Sequence, residues 1–337
     1  MKFKTFHKAL FTGVLAASIG LAGCGGGDET VTLKASHQWP GGKGDMRDVM
    51  VQMIADDAKA ANVGLNIQVY PGKSLFKPKE QWNAIVDGNL DITAFPLTYA
   101  AGQHPEFDLT LMPALVKNHD HAMRLNKSPF MDRIKKIMDD AGVIVLADTW
   151  MAGGFASKKT CVLNPGDVKG QQFRAAGKAF NQMLAAAGAS IASMPSSEIY
   201  SALQTGVLDG ANTSSASLIS YRIYEQVTCL TAPGDNALWF MYEPILMSKA
   251  RFNALNKKQQ DVLMAAGKRA EEYAFTEAKK VDDKLVETFT KAGVKVVTMD
   301  KAQSDAWRAI AKESSYKSFA ESVPNGQELL DMALSVE

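Results

Sequence analysis

Arg174 lies near the end of residues 171–175, a short segment that we expect to form a strand. Turn-forming residues occupy positions 165–167, and helical spacing of apolar residues begins near Lys178. Open α/β sheets bind ligands at the carboxyl ends of their strands, and a planar guanidinium there can pair with a carboxylate through two parallel hydrogen bonds. A strand-end arginine in a surface ion pair is the alternative, so this residue alone indicates only a candidate carboxylate site.

Polar and aromatic side chains also occur at the ends of other predicted strands. They are His37, Gln38, Trp39, Phe95, Trp150, Phe155, Asn212 and Trp239. Each alone is better explained by interior or surface packing than by ligand contact, because aromatic side chains dominate protein cores. Together they fit a mostly apolar cavity with a few converging polar groups, which is the usual form of a small-molecule site.

Catalytic motifs are missing from the sequence: it has no G-x-S-x-G elbow, no H-E-x-x-H pair and no Walker loop. His119 and His121 flank Asp120, but imidazoles so close along the chain diverge, and we expect a solvated surface cluster there. We therefore predict a binding protein without catalytic residues, metal or cofactor.

The N-terminal residues predict export and anchoring. Residues 1–23 combine lysines with an apolar run too short to span a membrane, as in a secretory signal peptide. Positions 21–24 read Leu-Ala-Gly-Cys and resemble a bacterial lipobox, which implies cleavage before Cys24 and lipid attachment to its sulfur. Residues 24–30 then read as a flexible tether. We expect a periplasmic protein held on a membrane by this lipid.

The charge balance gives no sign of a nucleic-acid partner. The chain has 37 basic and 36 acidic residues, and the signal segment carries three lysines and no acid. The remaining chain is slightly acidic, without a basic footprint. Cys161 and Cys229 could form a disulfide in an oxidising periplasm, but two unpaired buried cysteines are equally consistent with the sequence.

The pattern of apolar residues predicts an α/β fold. Strand patterns at 31–35, 65–70 and 90–95 alternate with helical patterns, which favours parallel strands joined by crossover helices. The glycines in residues 150–157 suggest a bend or a chain crossing between domains, and residues 238–248 read as one strand. Residues 253–292 contain no proline and predict an unusually long helix shared by two domains.

Two long motifs resemble those of a known protein family. Residues 168–174 read VKGQQFR, and residues 197–210 read SEIYSALQTGVLDG. With the segments at 70–75 and 88–93, they resemble the solute-binding proteins of tripartite ATP-independent periplasmic (TRAP) transporters, in the dicarboxylate-binding (DctP-like) branch. The similarity runs from residue 31 to about residue 323.

The resemblance implies a two-domain periplasmic binding protein-like fold, with a hinged cleft and a long domain-spanning helix. Domain I would comprise residues 31–150 and about 240–275, and domain II residues 151–239 and about 276–323, followed by a C-terminal helix at 324–337. Arg174 would hold the ligand carboxylate, and Asn212 would add a polar contact. Residues 209–213 lack the glutamine and glutamate that many members have after the glycine, on which the polar contact of Asn212 would depend, and residues 152–156 lack the extra arginine that some members place nearby.

The implied function is capture of an organic acid by domain closure and its delivery to the membrane permease, by a monomer. Because tryptophan and phenylalanine abound among the candidate residues, we expect a monocarboxylate with an aromatic or apolar body, such as a 2-oxo or 2-hydroxy acid. Arg174 would contact it from one domain and residues 37–39 from the other. A sensor protein that signals to a receptor has the same features, and an envelope enzyme acting on oxo acids would require His37 as its base.

Overall fold

The computed structural model describes residues 30–337, so the predicted signal peptide, Cys24 and most of the tether lie outside the described residues. Within this range the strands are β1 (Val31–Ser36), β2 (Leu65–Tyr70), β3 (Ile92–Ala94), β4 (Val143–Ala147), β5 (Trp150–Ser157), β6 (Gln172–Arg174), β7 (Ser190–Ile191), β8 (Gly210–Ser214), β9 (Cys229–Thr231), β10 (Trp239–Tyr242), β11 (Ile245–Ser248) and β12 (Lys295–Val297). The α-helices are α1 (Met46–Ala60), α2 (Gln81–Val86), α3 (His119–Leu125), α4 (Pro129–Asp140), α5 (Lys178–Ala186), α6 (Ile199–Gln204), α7 (Ser215–Ser220), α8 (Lys249–Asn253), α9 (Lys257–Lys291), α10 (Lys301–Ala311), α11 (Lys317–Ser322) and α12 (Gly326–Leu334).

The strands form two sheets, each with its own helices. Sheet A has the order β2-β1-β3-β11-β4, and β1 pairs in parallel with both β2 and β3. Sheet B has the order β12-β9-β5-β8-β6-β7, and β10 pairs with β5. We refer to sheet A with α1, α2, α4, α8 and the segments that join them, including residues 37–45 and 95–118, as lobe A. Sheet B with α5, α6, α7, α10 and the segments that join them is lobe B. This is the two-domain α/β arrangement that the sequence predicted.

The segment predicted to bend, residues 150–157, is instead the long central strand β5 of sheet B, and all of its residues are buried. Its glycines serve close approach of neighbouring strands. A Cβ atom on Gly153 would lie 2.2 Å from the carbonyl oxygen of Thr213, and one on Gly154 would lie 2.2 Å from that of Thr231. Glycine in a strand can mark such close contact, so the prediction of a bend was wrong.

The segment predicted as one strand, residues 238–248, forms two strands in different sheets, since β10 belongs to sheet B and β11 to sheet A. The chain crosses between the lobes at Glu243 and Pro244. It also crosses between β4 and β5, at Asp148 and Thr149, and the backbone N–H of Glu243 donates to the carbonyl oxygen of Thr149 at 2.9 Å. The two crossings therefore run side by side and are hydrogen-bonded to each other.

Helix α9 has 35 residues and belongs to both lobes, as predicted. Asn256 accepts a hydrogen bond from the backbone N–H of Gln259 in a capping box, which fixes where the helix begins. Leu263 packs in the core of lobe A, whereas Leu285 and Phe289 pack in that of lobe B. One continuous helix thus connects the two hydrophobic cores.

Cys161 and Cys229 form a disulfide, with their Cα atoms 5.2 Å apart, so of the two states left open by the sequence the structure contains the bonded one. The bond ties the segment that follows β5 to the start of β9. Between residues 30 and 337, no helix is both long and apolar enough to cross a membrane.

Candidate functional site

Arg174 is fully buried at the end of β6, and its hydrogen bonds go only to neutral groups. Nε donates to the carbonyl oxygen of Met194 at 2.9 Å, Nη1 to that of Asn212 at 2.9 Å, and Nη2 to the hydroxyl of Tyr99 at 3.1 Å. These bonds use three of its five N–H groups. No carboxylate in the described part of the chain pairs with Arg174, and burial lowers its pKa. Glu243 acts on Arg174 from a distance and raises its pKa less than burial lowers it, so the site contains a buried cation with no carboxylate bonded to it.

The backbone after Arg174 turns sharply into helix α5, and a residue of lobe A caps that helix. Asp108 accepts hydrogen bonds from the backbone N–H groups of Lys178 at 2.9 Å and Ala179 at 2.6 Å. Gly177, with φ of 77°, permits this approach, because a Cβ atom there would lie 2.7 Å from Oδ1 of Asp108. The contact fixes the lobe A segment containing Asp108 against the strand end that carries Arg174.

Tyr99 connects lobe A directly to Arg174. Besides accepting from Arg174, its hydroxyl accepts a hydrogen bond from the backbone N–H of Ser196 at 3.1 Å. Tyr99 and Met194 also line a cavity of about 570 Å³ that opens beside these bonds. Tyr99 therefore separates that cavity from the guanidinium.

Residues 37–39 directly follow β1 of lobe A. Both side-chain polar atoms of Gln38 are buried and have no hydrogen-bond partner, and neither has Nδ1 of His37. Nε2 of His37 lies 3.1 Å from Oδ1 of Asp48. Because a buried polar group without a partner is costly, these atoms are available to a ligand. The backbone carbonyl of Gln38 accepts from the hydroxyl of Tyr221 at 2.8 Å, which links it to lobe B.

A second buried arginine, Arg47 at the start of α1, is paired with carboxylates, in contrast to Arg174. Asp45 binds it through two oxygens, at 2.8 Å to Nε and 2.6 Å to Nη2, and Oε2 of Glu243 lies 2.6 Å from Nη1. The guanidinium carbon lies 3.9 Å from the ring centroid of Trp39. Burial acts to lower the pKa of Arg47, but the two carboxylates outweigh it and raise the pKa above its ordinary value.

Arg47 and Trp39 also reach across to lobe B. Arg47 donates to the hydroxyls of Ser214 at 2.9 Å and Ser217 at 3.1 Å, and Nε1 of Trp39 donates to the hydroxyl of Ser217 at 3.3 Å. The lobes are thus in contact across the cleft, and side chains of α1 and of the loop after β1 meet the end of β8 and the start of α7.

Four of the aromatic residues predicted for the site pack in protein interior. Phe155 stacks on Trp307 with ring centroids 5.7 Å apart, and Trp239 lies 4.8 Å from Phe180. The two others are Phe95, 6.0 Å from Trp82, and Trp150, 5.2 Å from Tyr242. The structure therefore does not bring them together around Arg174.

The side chain of Asn212 also lies apart from Arg174. Asn212 is opposite Phe155 in the β5–β8 pair, whereas Arg174 is opposite Ala211, so the two side chains project from opposite faces of sheet B. With Phe155 and Trp239, Asn212 lines a cavity of about 20 Å³, where its amide and the indole N–H of Trp239 have no partner. This volume has room for one water molecule. Only the carbonyl of Asn212 contacts Arg174.

His119 and His121, the two histidines considered as metal ligands, contact different partners. His119 lies 2.7 Å from Oδ2 of Asp282, while His121 is buried and lies 2.9 Å from the carbonyl oxygen of Val336. His121 is therefore not part of a solvated surface cluster. Across residues 30–337, no group of three or more candidate ligands could hold a metal ion.

Five residues near the site could not be recognised from the sequence, which are Asp45, Arg47, Tyr99, Tyr221 and Glu243. Asp45 and Arg47 resemble the ordinary polar start of an exposed helix. Burial raises the pKa of Tyr221 well above its ordinary value, which keeps this tyrosine a neutral donor to Gln38.

Comparison with known proteins places this geometry in context. The family model for bacterial extracellular solute-binding proteins of family 7, DctP, matches residues 36–322. A solute-binding protein of Albidiferax ferrireducens is 38% identical over 309 residues, covering 90% of this chain and 91% of the relative. A TRAP periplasmic solute-binding protein from Rhodoferax ferrireducens, solved with bound malonate, has a TM-score of 0.87 and 37% identity, covering 90% of this chain and 98% of that chain.

A more distant solved structure shares the fold. It is a Bordetella pertussis extracytoplasmic solute receptor that binds pyroglutamic acid, with a TM-score of 0.81 and 22% identity, covering 90% of this chain and 99% of that chain.

Proposed function

The chain belongs to the bacterial extracellular solute-binding proteins of family 7, and on this basis we propose that it captures a small organic acid by closure of its two lobes and delivers it to a TRAP membrane permease. Members of this family are transport proteins rather than enzymes, and the TRAP solute-binding proteins are periplasmic.

The observation that carries the proposal is that Arg174 is buried with no carboxylate hydrogen-bonded to it. A buried cation without a bonded counter-charge is unfavourable because it has lost its hydration, and a ligand carboxylate would supply both a bonded charge and the missing acceptors. One N–H group on each terminal nitrogen is left free by the three bonds to protein groups. A carboxylate that accepts from both would be held in a fixed orientation between the lobes.

We propose a monocarboxylate of the 2-oxo or 2-hydroxy type as the ligand. Arg47 is already paired with the carboxylates of Asp45 and Glu243, so only Arg174 is left to pair with a ligand carboxylate. The sequence predicted a ligand with a large aromatic body. Little supports such a ligand, because the aromatic side chains expected to bind it pack in the protein interior, namely Phe95, Trp150, Phe155 and Trp239. Trp39, Tyr99 and Tyr221 suit a small body better. Small acids are also what the Rhodoferax and Bordetella proteins bind, namely malonate and pyroglutamic acid.

A thermal-shift screen with an organic-acid library tests the proposal. An acid at about 100 times its dissociation constant should add about 2.7 kcal/mol of stability to the wild-type protein. Arg174→Ala leaves the ligand carboxylate unpaired, which costs about 2–5 kcal/mol, and should weaken binding by about 30-fold or more. The exposed Arg133 on α4 offers a control, since Arg133→Ala should bind normally. Normal binding by a folded Arg174→Ala variant would refute the proposed role.

We also propose that Cys24 carries a lipid that anchors the mature protein to a membrane, as the lipobox-like residues 21–24 suggest. Cells fed a labelled fatty acid should label the wild-type protein but not Cys24→Ser, which should move to the soluble periplasmic fraction. Equal labelling of the two proteins would contradict this anchor.

A further inference from the structure

Glu243 is a buried carboxylate, and one of its two oxygens accepts no hydrogen bond from the described residues. It lies where the chain crosses from β10 to β11, and its side chain is 4% exposed. Oε2 accepts the hydrogen bond of Arg47, whereas no group within residues 30–337 donates to Oε1. Burial raises the pKa of Glu243, and Arg47 opposes this effect. The structure thus contains a free acceptor at the junction of the two lobes.

Glu243 lies close to the proposed carboxylate site. Nη1 of Arg47 bonds both Glu243 and the hydroxyl of Ser214, and Ser214 is two residues from Asn212, whose carbonyl binds Arg174. The two charges are also close enough to act on each other: Glu243 raises the pKa of Arg174, and Arg174 lowers that of Glu243. An acid held on Arg174 would therefore have the carboxylate of Glu243 in its surroundings.

The charge near Glu243 decides which groups are tolerated there. Asp45 and Glu243 carry two negative charges against the single positive charge of Arg47, so this end of the site is net negative. A second ligand carboxylate would be repelled, and the carbonyl of a 2-oxo acid would place an acceptor against an acceptor. A hydroxyl or an N–H group would instead donate to a charged acceptor, which makes a strong hydrogen bond.

We propose that Oε1 of Glu243 accepts a hydrogen bond from the bound acid, so that the site selects monocarboxylates bearing a hydroxyl or N–H donor over 2-oxo acids and dicarboxylates. This inference rests on the proposed function and narrows its ligand class.

Calorimetric titration with matched acids tests the selectivity. The pairs are lactate with pyruvate and mandelate with phenylglyoxylate, with pyroglutamate as an N–H acid and malonate and succinate as dicarboxylates. Sites built to bond a hydroxyl reject analogues without it, so the best hydroxy or N–H acid should bind at least about 10-fold tighter than the best 2-oxo acid or dicarboxylate. Malonate, held by the Rhodoferax protein, is the most informative dicarboxylate.

Two variants distinguish the effect of the acceptor Oε1 of Glu243 from the effect of the net negative charge around it. Glu243→Gln removes the charged acceptor and supplies an amide donor, so it should lose the preference and bind malonate about 10-fold tighter than wild type. Asp45→Asn removes one charge from the same cluster, but both oxygens of Asp45 are already bound to Arg47. It should therefore keep the preference for hydroxy and N–H acids over 2-oxo acids, which depends on Oε1 of Glu243, while its affinity for dicarboxylates rises because this end of the site becomes neutral. Circular dichroism would establish that both variants are folded.

The outcomes distinguish this inference from the proposed function. If acids bind through Arg174 but a 2-oxo acid or dicarboxylate binds best, the role of Glu243 is refuted and the proposed function stands. An unchanged preference in Glu243→Gln, or loss of the preference over 2-oxo acids in Asp45→Asn, also refutes it. If no acid binds, the proposed function itself fails.

Discussion

Ser217 should control closure of the cleft without contacting the ligand. Its hydroxyl accepts from Trp39 at 3.3 Å and from Arg47 at 3.1 Å, both from lobe A, and lies 3.0 Å from the hydroxyl of Ser214. In Ser217→Ala these donors lose an acceptor inside the closed cleft, whereas in an open form they would meet water. The substitution therefore destabilises the closed form selectively.

The expected size of this effect follows from the two lost acceptors. Leaving a buried donor without a partner costs about 1–3 kcal/mol, and Nη2 of Arg47 keeps Asp45 as a second partner, so we expect about 2 kcal/mol in total. That amount changes the ratio of closed to open protein by about 30-fold. Apparent affinity falls with the closed fraction, so the dissociation constant of any bound acid should rise by up to the same factor.

Small-angle scattering and calorimetry together measure this effect. Without ligand, Ser217→Ala should have a larger radius of gyration than wild type, and saturating ligand should restore the compact value. The exposed Ser201 on α6 provides the control, because Ser201→Ala removes a hydroxyl without any contact across the cleft. If Ser217→Ala matched wild type in both compactness and affinity, the proposed role of these bonds in closure would be wrong.

Three further predictions concern stability. Replacing both Cys161 and Cys229 by serine opens a covalent loop with a sequence separation of 68, and should lower the free energy of unfolding by about 4 kcal/mol in urea denaturation, with reductant giving wild type the same loss. Lys159, and then the backbone N–H of Gln172, hold the pKa of Asp209 below its ordinary 3.8, a stabilisation that is present above this pH and is lost as pH falls through the lowered pKa. Asp209→Asn should therefore be less stable at pH 7, and its difference from wild type should shrink towards pH 2 in a series of denaturant titrations. A Cβ atom on Gly267 of α9 would lie 2.1 Å from the carbonyl oxygen of Leu146, so Gly267→Ala should lower the melting temperature through a loss of about 1–3 kcal/mol, whereas Gly102→Ala, with open space around it, should not.

Local signals in the sequence were sufficient for much of the fold and for Arg174. Turn residues followed by a short strand and a helical pattern predicted the surroundings of β6, and the absence of proline predicted the length of α9. These features depend on neighbouring residues, which a single sequence displays directly.

The other arginine site depends on partners that are far apart in the chain. Arg47 and Glu243 are separated by 196 residues, and nothing near Arg47 distinguishes it from an exposed residue of a first helical turn. Its burial follows from how α1 meets lobe B, which is a property of the tertiary structure. The interior packing of Phe155 could not be predicted for a related reason. A bend was expected at residues 150–157, and the alternation that assigns Phe155 to one face of a strand does not apply to a bend.

If one lobe rotates against the other, the hydrogen-bonded crossings at residues 148–149 and 243–244 would lie at the hinge of that rotation. Residues at a hinge move little, whereas contacts far from it move by larger distances. Glu243 lies in one of the crossings, so its acceptor would keep nearly the same position in open and closed forms. Mutations at the hinge would then change which acid is selected, and mutations far from it would change how firmly the lobes close.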